Sequence, residues 1–211
     1  MYTPAWLPWR DYHEDLKLER LVEVGNLFRS TWLRVSELHE PGEGDGMWSL
    51  SCRAFQRSVY RLELAKESWN WLSVHQVRPM QYVLAVGCIP VRFYHGESDE
   101  VPRRYSAAPE VEKELRQAIL ELDGRIRDGV LLRFATETDA KGVPLAVTLL
   151  EYEEATDAVL NTFSIPESAG ASGAEVTEFP KPKPRPGVLL PKPAVQPRHG
   201  RVKDNVDEPR E

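Results

Sequence analysis

Apolar residues recur at steps of three and four along three stretches of the chain, which is the period of a helix with one buried face. These stretches cover residues 13–39, 49–66 and 109–124. The third has the clearest boundaries, because Pro109 and several glutamates occupy its first turn and Gly124 follows its last apolar residue. The pattern therefore predicts three amphipathic helices.

Runs rich in β-branched and aromatic residues predict the strands. They cover residues 69–77, two runs within 81–97 that meet at Gly87 and Cys88, and then residues 130–136, 143–152 and 158–165. Short, turn-rich segments join the last three runs, which predicts an antiparallel meander. Pro90 lacks the N–H that a central strand needs, so its strand is expected at a sheet edge or a bulge.

These elements predict one α+β domain over residues 1–166, with an antiparallel sheet of five or six strands and about three helices packed on one face. An arm that alternates prolines with aromatic residues precedes the first helix. Its Trp6 and Trp9 either lie on the domain or serve as an aromatic handle for a partner, since tryptophan is enriched at binding hot spots.

Residues 167–211 differ from the rest of the chain in composition. Proline alternates with lysine or arginine over residues 180–186, a pattern that favours an extended, stiff backbone without internal hydrogen bonds. Too few apolar residues are present to form a core, so we expect a disordered, proline-rich tail.

The charge of the chain limits its partners. The formal net charge is −6, and residues 1–166 hold 19 Lys and Arg against 26 Asp and Glu. Such an acidic domain disfavours non-specific binding to nucleic acid and to anionic membranes. The sequence contains no long apolar run that would predict a signal peptide or a membrane span, so we expect a cytoplasmic protein. In the cytoplasm Cys52 and Cys88 are expected to be buried thiols rather than a disulfide.

Motifs for common chemistries are missing from the sequence. The five histidines and two cysteines form no metal-binding spacing, and no phosphate-binding glycine loop occurs, so no metal and no cofactor is expected. Two weaker arrangements remain. Glu137, Asp139 and Lys141 come nearest to a nuclease-like set, but they lie across a predicted hairpin turn, where such residues are expected for conformational reasons alone. A Cys88–His95 pair would suit a nucleophile and base, although a buried structural cysteine is the simpler interpretation.

Cations and aromatic residues concentrate around the end of the central hairpin, and this set is the predicted binding patch: Arg92, Tyr94, His95, Arg103, Arg104 and Tyr105. Planar cations beside rings suit phosphate, carboxylate or stacked bases. The alternative is ion pairing with nearby acids: Glu97, Asp99 and Glu100. A second candidate is an anion-binding stripe on the second helix, formed by Arg53, Arg57 and Arg61, unless these pair with Glu19 and Glu23 of the first helix.

Without a catalytic constellation, the sequence predicts a non-catalytic protein-interaction or adaptor module, of the kind found among bacterial or phage accessory proteins. The expected partner is another protein. One alternative is a nucleic-acid-associated protein that uses the arginines and aromatic residues of the patch. The second alternative is a small hydrolase or nuclease.

Overall fold

The structure is a computed structural model that describes residues 15–122 and 126–167, without the side chain of Leu122. The chain divides into two units after Gly173, and every described residue belongs to the first. Apart from its first residue, the tail predicted for residues 167–211 lies outside the described residues, as does the arm with Trp6 and Trp9. The predicted domain boundary and tail therefore stay predictions.

Three long helices form where the apolar period predicts them. Their bounds are Leu18–Ser36 (α1), Met47–Ala65 (α2) and Glu110–Leu122 (α4), and a four-residue helix, Arg103–Ser106 (α3), precedes the last. Glu110 and Glu112 occupy the first turn of α4, where the positive end of the helix dipole favours carboxylates. α1 and α2 each bury one mainly apolar stripe, as an amphipathic sequence requires, whereas α4 buries Glu112 and Arg116 together with Ile119.

Six strands form one sheet in chain order. They are Leu72–Arg78 (β1), Gln81–Val86 (β2), Ile89–His95 (β3), Val130–Thr138 (β4), Pro144–Glu153 (β5) and Ala158–Ser164 (β6). Four of the five strand pairs are antiparallel, and the predicted meander of the last three strands is confirmed. The predicted α+β class is confirmed as well.

The sheet differs from the prediction in one pairing, because β3 and β4 are parallel. Pro90 therefore lies in a central strand rather than at an edge or a bulge. The strand tolerates it because Pro90 is only the second residue of β3, and the ladder to β4 begins one residue later, at Val91↔Leu132. The missing N–H thus precedes the ladder on that side.

Helices contact both faces of the sheet. Phe28 of α1 packs against Phe93 and Phe134, with ring centroids 4.9 and 5.7 Å apart. Because side chains alternate along a strand, Arg133 points to the opposite face, where it pairs with Glu112 of α4. The sequence predicted about three helices packed on one face. Ile119 of α4 does belong to the same core as Phe28, and the start of α4 also reaches the second face through Glu112.

The β2–β3 hairpin closes through Gly87 and Cys88. Gly87 has a φ of 63°, and a Cβ there would lie 2.0 Å from Cγ of Asp15, so this turn position requires glycine. Asp15 Oδ2 also accepts a hydrogen bond from the backbone N–H of Cys88 at 3.0 Å. The hairpin is thereby anchored to the segment that leads into α1.

Among the described helices, none combines the length and apolar character that a membrane span needs.

Candidate functional site

A cleft lies where β2 and β3 separate. Their ladder has three pairs within the described residues and ends at Leu84↔Val91. On either side the neighbouring ladders continue, to Arg78↔Gln81 between β1 and β2 and to His95↔Thr136 between β3 and β4. The β1–β2 hairpin therefore diverges from the rest of the sheet at this end.

The cleft has a volume of about 170 Å³, and residues from both faces of the sheet line it. The lining residues are Phe28, Trp32, Trp48, Ser51, Cys52, Phe55, Ser58, Met80, Phe93, Tyr94, His95, Arg104, Tyr105 and Thr136. Aromatic rings thus supply much of the surface. Hydroxyl groups and one imidazole provide polar positions among them.

Phe93 forms the centre of the aromatic wall. Its ring stacks on Phe55 of α2 with a centroid distance of 4.9 Å and an interplanar angle of 18°. On its other side it meets Phe28 of α1 at 4.9 Å. Offset stacking of this kind fixes the positions of the rings in addition to burying their area. The wall is therefore set by packing between two helices and one strand.

His95 is held on the same side of the sheet by two hydroxyl groups. Its Nδ1 lies 3.2 Å from Ser51 Oγ and its Nε2 lies 2.9 Å from Thr138 Oγ1. A neutral imidazole donates to one hydroxyl and accepts from the other, so both nitrogens are satisfied. The ring also packs on Trp32, with centroids 4.2 Å apart. Burial lowers the pKa of His95 below its usual value, because the charged form is poorly solvated there.

We expect His95 to make stability fall in mild acid. The folded state holds the imidazole neutral, whereas the unfolded chain protonates it near its ordinary pKa of 6.5. Its contribution is therefore complete above that pH and decreases as the pH falls toward the lower pKa of the folded state. Urea unfolding of the wild type and of His95→Gln at several pH values between about 7 and 5 measures this. An unchanged pH dependence in the variant would show that His95 is not responsible.

The contact between Ser51 and His95 has the separation of a nucleophile and its base, a pair that sequence reasoning missed. In a catalytic triad a third group orients the base, and here that position is taken by the hydroxyl of Thr138 rather than by a carboxylate. The contact therefore positions the His95 ring as part of the cleft wall.

The rim of the cleft exposes large apolar side chains. Trp48, in the first turn of α2, is 80% exposed, and its neighbour Met47 is also exposed. Met80 lies across the cleft in the β1–β2 turn and is exposed as well. A mobile thioether and an indole beside an aromatic floor form a surface suited to apolar contact.

Some residues of the predicted binding patch are buried and others are exposed. Arg92 is only 3% exposed, and its guanidinium donates to the carbonyl oxygens of Ala107 and Arg104, both at 3.0 Å. It also lies 4.6 Å from the centre of the Tyr105 ring. Burial, followed by the neighbouring Arg133, lowers the pKa of Arg92 to about 10. Arg92 thus fastens α3 to the sheet rather than facing solvent.

The other members of the patch surround the same corner. Tyr94 is buried, donates from its hydroxyl to the carbonyl oxygen of Glu97 at 2.9 Å, and has its pKa raised mainly by burial. Tyr105 is buried too, and burial raises its pKa. Arg103 and Arg104 are exposed, with the Arg104 guanidinium 4.9 Å from the centre of the Tyr105 ring. His95, Arg104 and the two tyrosines meet at the cleft.

The three arginines of the predicted stripe on α2 also differ in their exposure and in their partners. Arg53 donates to both carboxylate oxygens of Asp45, at 2.8 and 3.0 Å, and to the carbonyl oxygen of Leu38. Arg61 donates to the hydroxyl groups of Ser30 and Thr31 on α1, so it holds the two helices together. Of the three, Arg57 is the one exposed to solvent. The partners expected from sequence, Glu19 and Glu23, are not the ones that these two arginines contact.

The residues of the two weaker catalytic candidates do not converge on one site. Asp139 Oδ1 accepts from the backbone N–H groups of Lys141 and Val143 in the β4–β5 turn, and Glu137 accepts from that of Ser98. Both cysteines are free thiols, but neither is fully buried as predicted, since Cys52 is half-buried and Cys88 is exposed. It precedes β3, whereas His95 ends that strand, so roughly 20 Å of extended chain separates them.

No metal-binding cluster emerges either. Within the described residues, no group of three or more histidine, cysteine, aspartate or glutamate side chains is placed to hold a metal ion.

Comparison of the chain with protein-family models, with curated proteins and with solved structures found no match.

Proposed function

We propose that the chain is a non-catalytic protein-interaction module and that the cleft between β2 and β3 receives a segment of its partner. The exposure of Trp48 at the rim is the observation that carries this proposal. Tryptophan is enriched among the residues that dominate binding energy, especially where a neighbouring pocket can exclude water. Exposed Met47 and Met80 extend the apolar area around it.

The size of the cleft favours a protein partner over a small molecule. Pockets for cofactors and drug-sized ligands usually measure about 300–1,000 Å³. At about 170 Å³ the cleft is below that range and suits one anchoring side chain. The remaining contact area would come from the rim and from the surface around it.

Nucleic acid is less well supported as the partner. Among the arginines of the predicted patch and stripe, Arg53, Arg61 and Arg92 direct their guanidinium groups to protein acceptors. The net charge of −6 also opposes binding to a polyanion.

The two cysteines of the described residues are free thiols, which agrees with the proposed location in the cytoplasm, where disulfides are rare.

We expect Trp48→Ala to weaken partner binding by roughly 30-fold, which corresponds to about 2 kcal/mol, the usual loss at a hot spot. The partner is first captured from a lysate of the source cells with the full chain and then purified, so that titration calorimetry gives Kd for each variant. Trp48 is exposed, so the variant should fold normally.

Tyr60→Ala is the matched control. Tyr60 lies on the same helix, is 61% exposed, and points away from the cleft. Its removal should leave Kd unchanged. Equal losses for the two variants, or no loss for Trp48→Ala, would contradict binding at the cleft.

A further inference from the structure

We infer that the segment received by the cleft carries one aromatic side chain with a carboxylate beside it. This inference rests on the proposed function and adds the chemistry of the partner. Two observations lead to it independently: the shape and lining of the cleft, and the charge at its rim.

The cleft matches a single aromatic ring in size and surroundings. An apolar cavity of about 150 Å³ in a protein core is large enough to bind benzene. The present cleft has about 170 Å³ and is walled by the rings of Phe55, Phe93 and Trp32, among others. A ring entering this space gains edge-to-face or offset contacts that an aliphatic side chain does not make.

The polar groups of the lining suit a ring that has a polar end. The hydroxyl oxygens of Ser51 and Thr136 lie among the rings. A hydroxyl oxygen has two lone pairs, so these groups can accept from a tyrosine hydroxyl or an indole N–H that enters the cleft, whereas a charged side chain would have to be desolvated. The anchoring side chain is therefore aromatic rather than cationic or acidic.

The charge at the rim selects the residue next to the anchor. Among the described residues that line the cleft, Arg104 is the one that carries a full charge. Its guanidinium is exposed and lies over the Tyr105 ring, and none of the ion pairs among the described residues includes it. Buried Arg92 lies beneath the same ring and adds positive potential. A carboxylate on the partner would complement this corner.

The test is a selection of random peptides displayed on phage against the full-length protein. We expect the selected peptides to share an aromatic residue with aspartate or glutamate next to it, and to lose binding to Trp48→Ala. Arg104→Glu should weaken these peptides by about 10-fold or more, since attraction becomes repulsion, and its own selection should yield lysine or arginine beside the ring. Arg57→Glu, an equal charge reversal on an exposed part of α2 away from the cleft, should change neither result.

The outcomes separate the inference from the function it rests on. Peptides that depend on Trp48 but lack a neighbouring carboxylate, or that bind Arg104→Glu as well as the wild type, would overturn the inference and leave the proposed function standing. A selection that yields no peptide dependent on Trp48 would overturn both. Circular dichroism of each variant confirms that a loss of binding is not a loss of fold.

Discussion

Replacing Glu112 with alanine is expected to reduce the free energy of unfolding by about 3–5 kcal/mol, the usual cost of removing one partner of a buried ion pair. Glu112 Oε1 lies 2.6 Å from Arg133 Nη1, and both side chains are fully buried between α4 and the sheet. The same carboxylate also offsets the charge of buried Arg92. Without it, two guanidinium groups stay buried with less compensation. Urea unfolding measures the change.

A double replacement distinguishes the loss of the pair from the loss of packing. In Glu112→Leu with Arg133→Met, no charge of the pair remains and the volume is roughly kept, so most of the stability should return. A loss below about 1 kcal/mol for Glu112→Ala would mean that the pair contributes no more than an exposed one. A double variant as unstable as the single variant would show that side-chain shape dominates instead.

Phe93→Ala is expected to cost about 3–5 kcal/mol of stability, because it removes a ring from the centre of the core beneath the cleft. Phe93 stacks on Phe28 and Phe55, so its loss leaves a cavity that both helices border. Urea unfolding gives the free energy of unfolding of the variant and of the wild type, and the two values are compared with the same slope of free energy against urea concentration.

Two variants control this experiment. Phe93→Leu keeps most of the volume and should lose much less stability. Tyr60→Ala removes an exposed ring from α2 and should stay within about 0.5 kcal/mol of the wild type. A Phe93→Ala protein as stable as the Tyr60→Ala protein would contradict the assignment of Phe93 to the core.

Local pattern was enough to predict most of the fold. The helical period located α1, α2 and α4, and the β-branched runs with Gly87 at their turn located the central hairpin. These predictions succeed because each rests on interactions within one element or between neighbours in sequence. The parallel pairing of β3 with β4 depends instead on how a distant connection packs. No local signal distinguishes it from an antiparallel pair.

The site was only partly predictable for the same reason. The sequence grouped His95, Arg104 and Tyr105 in one predicted patch, and in the structure these three residues line the same cleft, since the segments that follow β3 stay close to its end. The sequence did not predict that Arg92 is buried. The alternation of side chains along a strand assigns Arg92 to one face of the sheet, but it does not show whether other elements cover that face. Trp48 was overlooked. Its exposure follows from its position on the folded helix, which the apolar period does not specify.

The central claim is that the partner binds at the cleft, and locating the bound peptide tests this most directly. Amide hydrogen exchange of the full-length protein is measured with and without a peptide whose binding depends on Trp48. We predict slower exchange around the cleft: at the start of α2, from Met80 to Tyr82, and from Phe93 to His95. The start of β5, which exposes Leu145, and the edge strand β6, which exposes Leu160, should exchange as before. Slowing at β6 with no change around the cleft would contradict the account.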